Sequence, residues 1–230
     1  MNKIFKVIWS KSKQCYVVVS EMAKNTTGKK KIVVAGILAS LAVTANVIEV
    51  DAAGRFHGTA PAKGIAISTT DPGSVASANG DNAIAIGRAK ANYNGAVAIG
   101  SDAESVGNAA SYGWLSRAMG SGAAAYGSHA NANGEKSFAA GWNSNASGKS
   151  SVAIGSSETD TSNGAVAAGE AAIAIGKNAS ASQSDAIAMG TSAAASQSNA
   201  IALGKNTQAK TSQAIAVGEG ATADGTATIA

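Results

Sequence analysis

The sequence predicts an all-β fold, a parallel β-roll (a solenoid) built from coils of about 14 residues, and three observations predict it. First, a small apolar pentad recurs: "AIAIG" ends at Gly87 and "AVAIG" at Gly100, and related segments end at Gly113, Gly127, Gly141, Gly155, Gly169, Gly176, Gly190, Gly204 and Gly218. The intervals are 13, 13, 14, 14, 14, 14, 7, 14, 14 and 14 residues, the fixed period of a stacked, quasi-one-dimensional architecture. Second, size alternates with period two inside each pentad, as in Ala83-Ile84-Ala85-Ile86. The large positions are mostly β-branched, and each run stops at a glycine free to take positive φ; this is strand chemistry followed by a turn. Third, 230 residues with 4% aromatics and 27 glycines hold too few large side chains for a conventional core, so small residues must pack in layers.

Two other readings of such a composition fail. An alanine-rich helix would be broken by a glycine every 14 residues with Asn, Ser and Asp between. Soluble disorder avoids the Ile and Val pairs that persist along the repeat.

The elements follow in chain order. Residues 1–52 form a leader. Eight of the 18 basic residues and three of the 14 acids fall there, so the overall +4 becomes −1 for the remainder. The basic character belongs to the leader, and the rest carries no electrostatic footprint for nucleic acid. Lys29-Lys30-Lys31 precedes "IVVAGILASLAVTANV", the basic n-region and apolar h-region of a secretory signal peptide. Cleavage is expected after Ala45 or Ala52. The competing reading is a membrane anchor, but the uncharged run from Ile32 to Ile48 is short for a span and no stop-transfer charge cluster follows. The single cysteine, Cys15, also lies in the leader, with no plausible base nearby in "SKQCYVVVS". A mature chain without thiols forms no disulfides and suits passage through an oxidising compartment.

Residues 53–80 read as a Gly/Ala/Ser/Thr-rich lead-in without a clear repeat, and residues 81–230 as the repeat itself. In one period, "AIAIGKNASASQSD" (Ala172 to Asp185), a first strand alternates Ile173 and Ile175 with Ala172 and Ala174. After the turn a second strand alternates Ala179 and Ala181 with Asn178, Ser180 and Ser182. The expectation is a thin core in which the large residue of the first strand meets the small one of the second. The core residues expected on this basis are Ile84, Ile86, Val97, Ile99, Val152, Ile154, Ile173, Ile175, Ile187, Met189, Ile201, Leu203, Ile215 and Val217. Gly87, Gly100, Gly127, Gly141, Gly155, Gly169, Gly176, Gly190, Gly204 and Gly218 are the expected turn residues. The second strand then shows polar groups to water, whereas the first shows only Ala and Gly. A strand apolar on both faces is normally covered on both. That wall therefore calls for other copies of the chain, three around an axis or a pair. Coils stacked at the inter-strand spacing of about 4.8 Å make a rod roughly 50 Å long.

Candidate sites are few. Tyr112, Trp114, Arg117 and Trp142 stand out in aromatic-poor surroundings and are the expected ligand contacts, because aromatics and Arg are favoured at protein interfaces. The plainer reading is that such residues fill gaps where coils are one residue short. No catalytic, metal or cofactor site is expected, and the chain does not read as an enzyme. His57 and His129 are isolated, and "DTSNG" (Asp160 to Gly164) lacks the alternating acids of a calcium loop. "GEGATA" (Gly218 to Ala223) and "GSGAAA" (Gly120 to Ala125) do not join a strand to a helix, as a dinucleotide fingerprint must.

Two sets of motifs carry a family resemblance. Met1 to Ile4, Val7-Ile8-Trp9 and Val17 to Lys24 resemble the extended signal peptide region of type V secreted proteins. "SSVAIGSS" (Ser150 to Ser157), "AVAIGSDA" (Ala96 to Ala103) and "AIALGKNTQA" (Ala200 to Ala209) resemble the repeats of YadA-like heads of trimeric autotransporter adhesins. The resemblance implies a left-handed, homotrimeric β-roll on the surface of a Gram-negative-type envelope, exported by its signal peptide to the outer membrane. It also implies attachment to host cells or extracellular matrix and cell–cell aggregation, with a passive spacer as the alternative role. Family members continue into a stalk and a C-terminal β-barrel anchor, so the chain reads as a fragment or an N-terminal portion, held to a membrane only through an anchor that its sequence lacks. Collagen-binding members carry Asn-Ser-Val-Ala-Ile-Gly-x-x-Ser. Here Ser150 replaces the Asn, and Asn94 is followed by Gly95 rather than Ser, so collagen is not the expected ligand.

Overall fold

The computed structural model describes residues 5–10, 15–20, 64–68, 75–157 and 164–230. They fall in two units, Met1–Thr44 and Ala45–Ala230. In the first unit Phe5–Ser10 and Cys15–Ser20 pair as antiparallel strands, in register from Phe5↔Ser20 to Ser10↔Cys15. Both segments are rich in β-branched and aromatic residues, the composition strands favour. The apolar run from Ile32 to Ile48, Ala45, Ala52 and His57 lie outside the described residues.

The second unit is a parallel β-solenoid of about ten coils. Its described residues form two 11-stranded sheets, one of three-residue strands from Ile65–Ile67 to Ile215–Val217 and one of two-residue strands from Ser77–Ala78 to Thr222–Ala223. Each coil contributes one strand to each sheet, and successive coils pair in parallel. Register preserves residue type, as in Ile173↔Ile187, Ala174↔Ala188 and Ile175↔Met189. The roll starts earlier than residue 81, because Ile65–Ile67 already pairs with Ile84–Ile86.

Turn chemistry closes each coil. In the coil from Ala172, the Ala179 N–H bonds the Gly176 carbonyl at 3.2 Å and the Ala186 N–H bonds the Gln183 carbonyl at 3.2 Å. The third residues of these two turns, Asn178 (φ 55°) and Asp185 (φ 58°), are left-handed. Positive φ at that position defines a type II-like turn and explains the recurring Asn and Gly there. Gly176 itself has φ 127°, and a Cβ on it would sit 2.6 Å from the Gly190 carbonyl oxygen, so the glycine column is a column of backbone contacts.

Two expectations are corrected here. The core is not made of the large residues. Ala172, Ala174, Ala179 and Ala181 are completely buried, their counterparts recur in almost every coil, and the largest fully buried side chain among the described residues is Thr207. Ile84, Ile86, Val97, Ile99, Val152, Ile154, Ile173, Ile175, Ile187, Met189, Ile201, Leu203, Ile215 and Val217 all lie on the outer face, half-buried or exposed. The physical reason is thickness. Two tight turns per coil bring the sheets together so closely that only Ala, Ser and Thr fit between them, and anything larger would overpack the gap.

Gly169 is the second correction. The expected turn residues Gly87, Gly100, Gly127, Gly141, Gly155, Gly176, Gly190, Gly204 and Gly218 all have positive φ, as does Gly113, but Gly169 does not. Gly169 belongs to the opposite corner, in the column of Gly120, Gly134 and Gly148. Val152 pairs directly with Ile173, so Gly155 and Gly176 are neighbours and the coil between them is one long coil of 21 residues. Seven extra residues between Gly155 and Ala165, of which 158–163 lie outside the described set, shift the second strand Val166–Ala167 and its Gly169 into the phase of a pentad.

Candidate binding surfaces

The inverted packing gives the roll one apolar and one polar broad face. The three-residue strands each present their first and third residues outward, forming two parallel ladders. The first runs Ile65, Ile84, Val97, Ala110, Ala124, Phe138, Val152, Ile173, Ile187, Ile201, Ile215. The other runs Ile67, Ile86, Ile99, Tyr112, Tyr126, Ala140, Ile154, Ile175, Met189, Leu203, Val217. Exposure of this large apolar surface is substantial, reaching 41% at Met189 and 54% at Val217. At about 4.8 Å per rung the ladders extend for roughly 50 Å.

Midway along this face the ladders change character. Tyr112 and Tyr126 stack with ring centroids 4.8 Å apart and planes within 8°. Tyr126 then meets Phe138 at 5.8 Å. Each of these three rungs pairs its aromatic residue with an alanine: Ala110 with Tyr112, Ala124 with Tyr126, and Phe138 with Ala140.

Trp114 and Trp142 project from a different place, the corner that follows the glycine column. They occupy the same turn position two coils apart, with Ser128 between them. Trp114 is 54% exposed and packs edge-on against the His129 ring at 4.8 Å. The His129 Nδ1 lies 3.0 Å from the Ser128 hydroxyl. The Trp142 backbone is held by the next coil, its N–H reaching the Ser156 hydroxyl at 3.2 Å and its carbonyl accepting from the Ser157 N–H at 3.0 Å. Both tryptophans stand in coils of full 14-residue length, so neither fills a gap left by a missing residue.

Arg117 lies on the polar face, in a ladder that runs Lys90, Glu104, Arg117 and then Asn131. Its guanidinium is 3.7 Å from the Glu104 carboxylate, and Arg88 binds Asp102 through both nitrogens of the fork. These groups, with Val75 and Leu115, line an open depression of about 600 Å³. It lies beside the corner where Arg88 alone stands between Gly87 and Ala89. Further along, Glu135 bridges Lys136 at 3.2 Å and Lys149 at 3.7 Å. The hydrogen bond from Lys136 and the nearby Lys149 charge hold its carboxyl below the ordinary glutamate range.

The four expected contact residues therefore do not converge. Trp114 and Trp142 share a corner, Arg117 is on the polar face, and Tyr112 belongs to the apolar face. Sequence reading missed the partners: His129 under Trp114, and Phe138 and Ala140 completing the aromatic band. The signal for the band was present in "AAYG" and "SFAAG", where the usual large residues are exchanged for aromatic–alanine pairs. Among the described residues, no group of three or more His, Cys, Asp or Glu could hold a metal ion.

Comparison with known families supplies the remaining identification. The Extended Signal Peptide of Type V secretion system matches residues 1–48. The YadA head domain repeat matches residues 73–89, 132–157, 163–179, 167–193 and 181–207. No curated protein matches the chain. The repeat matches fall on the solenoid coils, and the leader match covers the segment ahead of them. The chain belongs to the trimeric autotransporter adhesin-like proteins of type V secretion, a family of adhesins rather than enzymes.

Proposed function

We propose that the solenoid is the head of a surface adhesin, assembled from three copies with their apolar faces turned to a common axis. It attaches cells to host surfaces or matrix, and cells to one another, by many weak contacts. The observation that carries this reading is the contrast between the broad faces. One sheet shows polar and charged residues to water at all outward positions but Val166 and Ala194, and the other shows an unbroken pair of apolar ladders. Three walls packed around an axis shelter those ladders and leave the polar faces and corners outward. The extended signal peptide supports export to the cell surface.

Attachment is multivalent. Three chains repeat each outward feature, and many heads on one cell raise avidity with no single tight contact. Within this reading Trp114 and Trp142 at the corner, with Arg117 on the polar face, make contact, since exposed Trp and Arg dominate protein interfaces. Tyr112 is assigned to the assembly face instead.

The test is a solid-phase screen of the purified chain against fibronectin, laminin, collagen and whole cells, alongside sedimentation velocity. The expected outcome is a three-copy species that binds at least one surface. The Trp114→Ala/Trp142→Ala double variant, still folded and assembled, should lose about tenfold or more in apparent affinity. Unchanged binding by that variant removes the corner as the contact site. An assembled head that binds nothing and aggregates no cells makes the roll a passive spacer.

A further inference from the structure

We infer that the aromatic band at Tyr112, Tyr126 and Phe138 sets the height at which copies of the chain dock, preventing them from slipping along one another by a coil. The inference rests on the proposed assembly of copies through the apolar faces.

A repetitive apolar wall has a built-in ambiguity. Below the band the ladders read Ile65/Ile67, Ile84/Ile86 and Val97/Ile99; above it they read Val152/Ile154, Ile173/Ile175, Ile187/Met189, Ile201/Leu203 and Ile215/Val217. Neighbouring rungs are nearly interchangeable. Two such walls displaced by one coil, about 4.8 Å, exchange one aliphatic contact for another and lose only a single rung at each end. Packing in which every register is almost equally good does not specify one assembly, and sequences resolve this by placing exceptional residues at chosen positions.

The band is such an exception, and its internal order matters more than its bulk. In a ring closed by one repeated head-to-tail interface, the first ladder of one copy meets the third ladder of the next. At equal height Ala110 then faces Tyr112 and Ala124 faces Tyr126, while Phe138 faces Ala140, so every aromatic meets a methyl group. The large residue changes ladders between the second and third of these rungs. A one-coil shift in one direction sets Phe138 against Tyr126 and leaves Val152 opposite Ala140. The opposite shift sets Val97 against Tyr112 and Phe138 against Ile154, and leaves Ala124 facing Ala140 across a void. Either displacement combines overpacking with under-packing, both unfavourable in a close-packed interface. The Tyr112–Tyr126 stack and the Tyr126–Phe138 contact fix the three rings to one another within each chain, so the band acts as one rigid key.

Disulfide trapping tests this, using the full chain in a Cys15→Ser background, which leaves no native cysteine. A chain carrying Ile173→Cys is co-expressed with a differently tagged chain carrying Ile175→Cys, which reports equal height. Pairing it instead with Ile154→Cys or Met189→Cys reports a one-coil slip. Disulfides need Cα atoms about 4.4–6.8 Å apart, so a one-coil offset is distinguishable. The parent should trap only the equal-height pair. With the band made uniform by Ala110→Ile, Tyr112→Ile, Ala124→Ile, Tyr126→Ile, Phe138→Ile and Ala140→Ile, slipped products that the parent does not form should appear in yields similar to the equal-height pair. A gentler variant, Phe138→Ala/Ala140→Phe, keeps composition and volume but removes the reversal, and should also admit slipped pairs. In-register trapping by both variants overturns the register role while leaving the assembly intact, and slipped products from the parent overturn it too. A parent that traps no inter-chain pair and sediments as one chain overturns the assembly, and this inference with it.

Discussion

At the scale of single residues, left-handed backbone decides what the coil tolerates. The glycine column combines two demands, positive φ and contact with the next carbonyl, and they separate experimentally. Gly176 carries both, whereas Gly218 has φ 119° and nothing within 4 Å of a built Cβ. Gly218→Ala should cost about 1–3 kcal/mol from backbone strain alone. Gly176→Ala should cost more, because the 2.6 Å approach to the Gly190 oxygen forces the coils apart; thermal unfolding of both variants measures the difference. Asn178→Gly, at a corner already left-handed, should be nearly neutral. Charge effects at this scale are small. The lowered Glu135 carboxyl contributes stability that is present above the ordinary glutamate value of 4.5 and is lost as pH falls toward its folded value. The group is exposed, so Glu135→Gln should leave the midpoint near neutral pH almost unchanged and slightly flatten its decline in acid.

At the scale of the element, the strand pair shows what was legible in the sequence and what was not. The pentad period, the strand–turn–strand reading and the corner Asn and Gly residues are local signals, and "AIAIGKNASASQSD" carries all of them. Orientation was not legible. Alternation specifies that Ile173 and Ala174 face opposite ways, but not which way is in. The usual preference for burying the larger residue chose wrongly, because sheet separation is a property of two corners acting together. Gly169 misled for a related reason, since a glycine column exists at both corners and an inserted half-coil shifted one into the phase of the other. The inverted core has a direct signature. Ala174→Ile, nominally more hydrophobic, should destabilise by about 1–3 kcal/mol through overpacking, while Ile175→Ala should cost the folding of one coil far less. Buried hydroxyls make a second comparison. Ser144 donates to the Gly141 carbonyl at 2.8 Å, whereas the Ser111 hydroxyl is buried with no partner. Ser144→Ala should lose about 1 kcal/mol and Ser111→Ala should be neutral or stabilising, as read by denaturant midpoints.

At the scale of the whole molecule, a solenoid with a methyl-lined core has little apolar burial of its own. Each coil touches only its neighbours, so stability accumulates along the axis from backbone ladders and alanine contacts. The large aliphatic side chains, which in an ordinary domain would supply most of the hydrophobic stabilisation, remain on the surface of a single chain. Sheltering them between copies turns that surface into a core, with each half-exposed Ile or Val contributing on the order of 1 kcal/mol at about 25 cal/mol per Å². Folding and assembly are then linked, and the chain's stability should depend on its own concentration. A charge placed in the apolar ladder tests the link against a charge placed elsewhere on the same coil type. Ile187→Asp puts a carboxylate in the apolar face, where burial between copies is costly. Ser180→Asp puts one on the polar face, and Ser180 and Ile187 are only seven residues apart. Sedimentation velocity should show Ile187→Asp shifted toward single chains with a lowered, concentration-dependent melting temperature, and Ser180→Asp unchanged in both. Equal behaviour of the two variants would mean that the apolar face is not where copies of this chain meet.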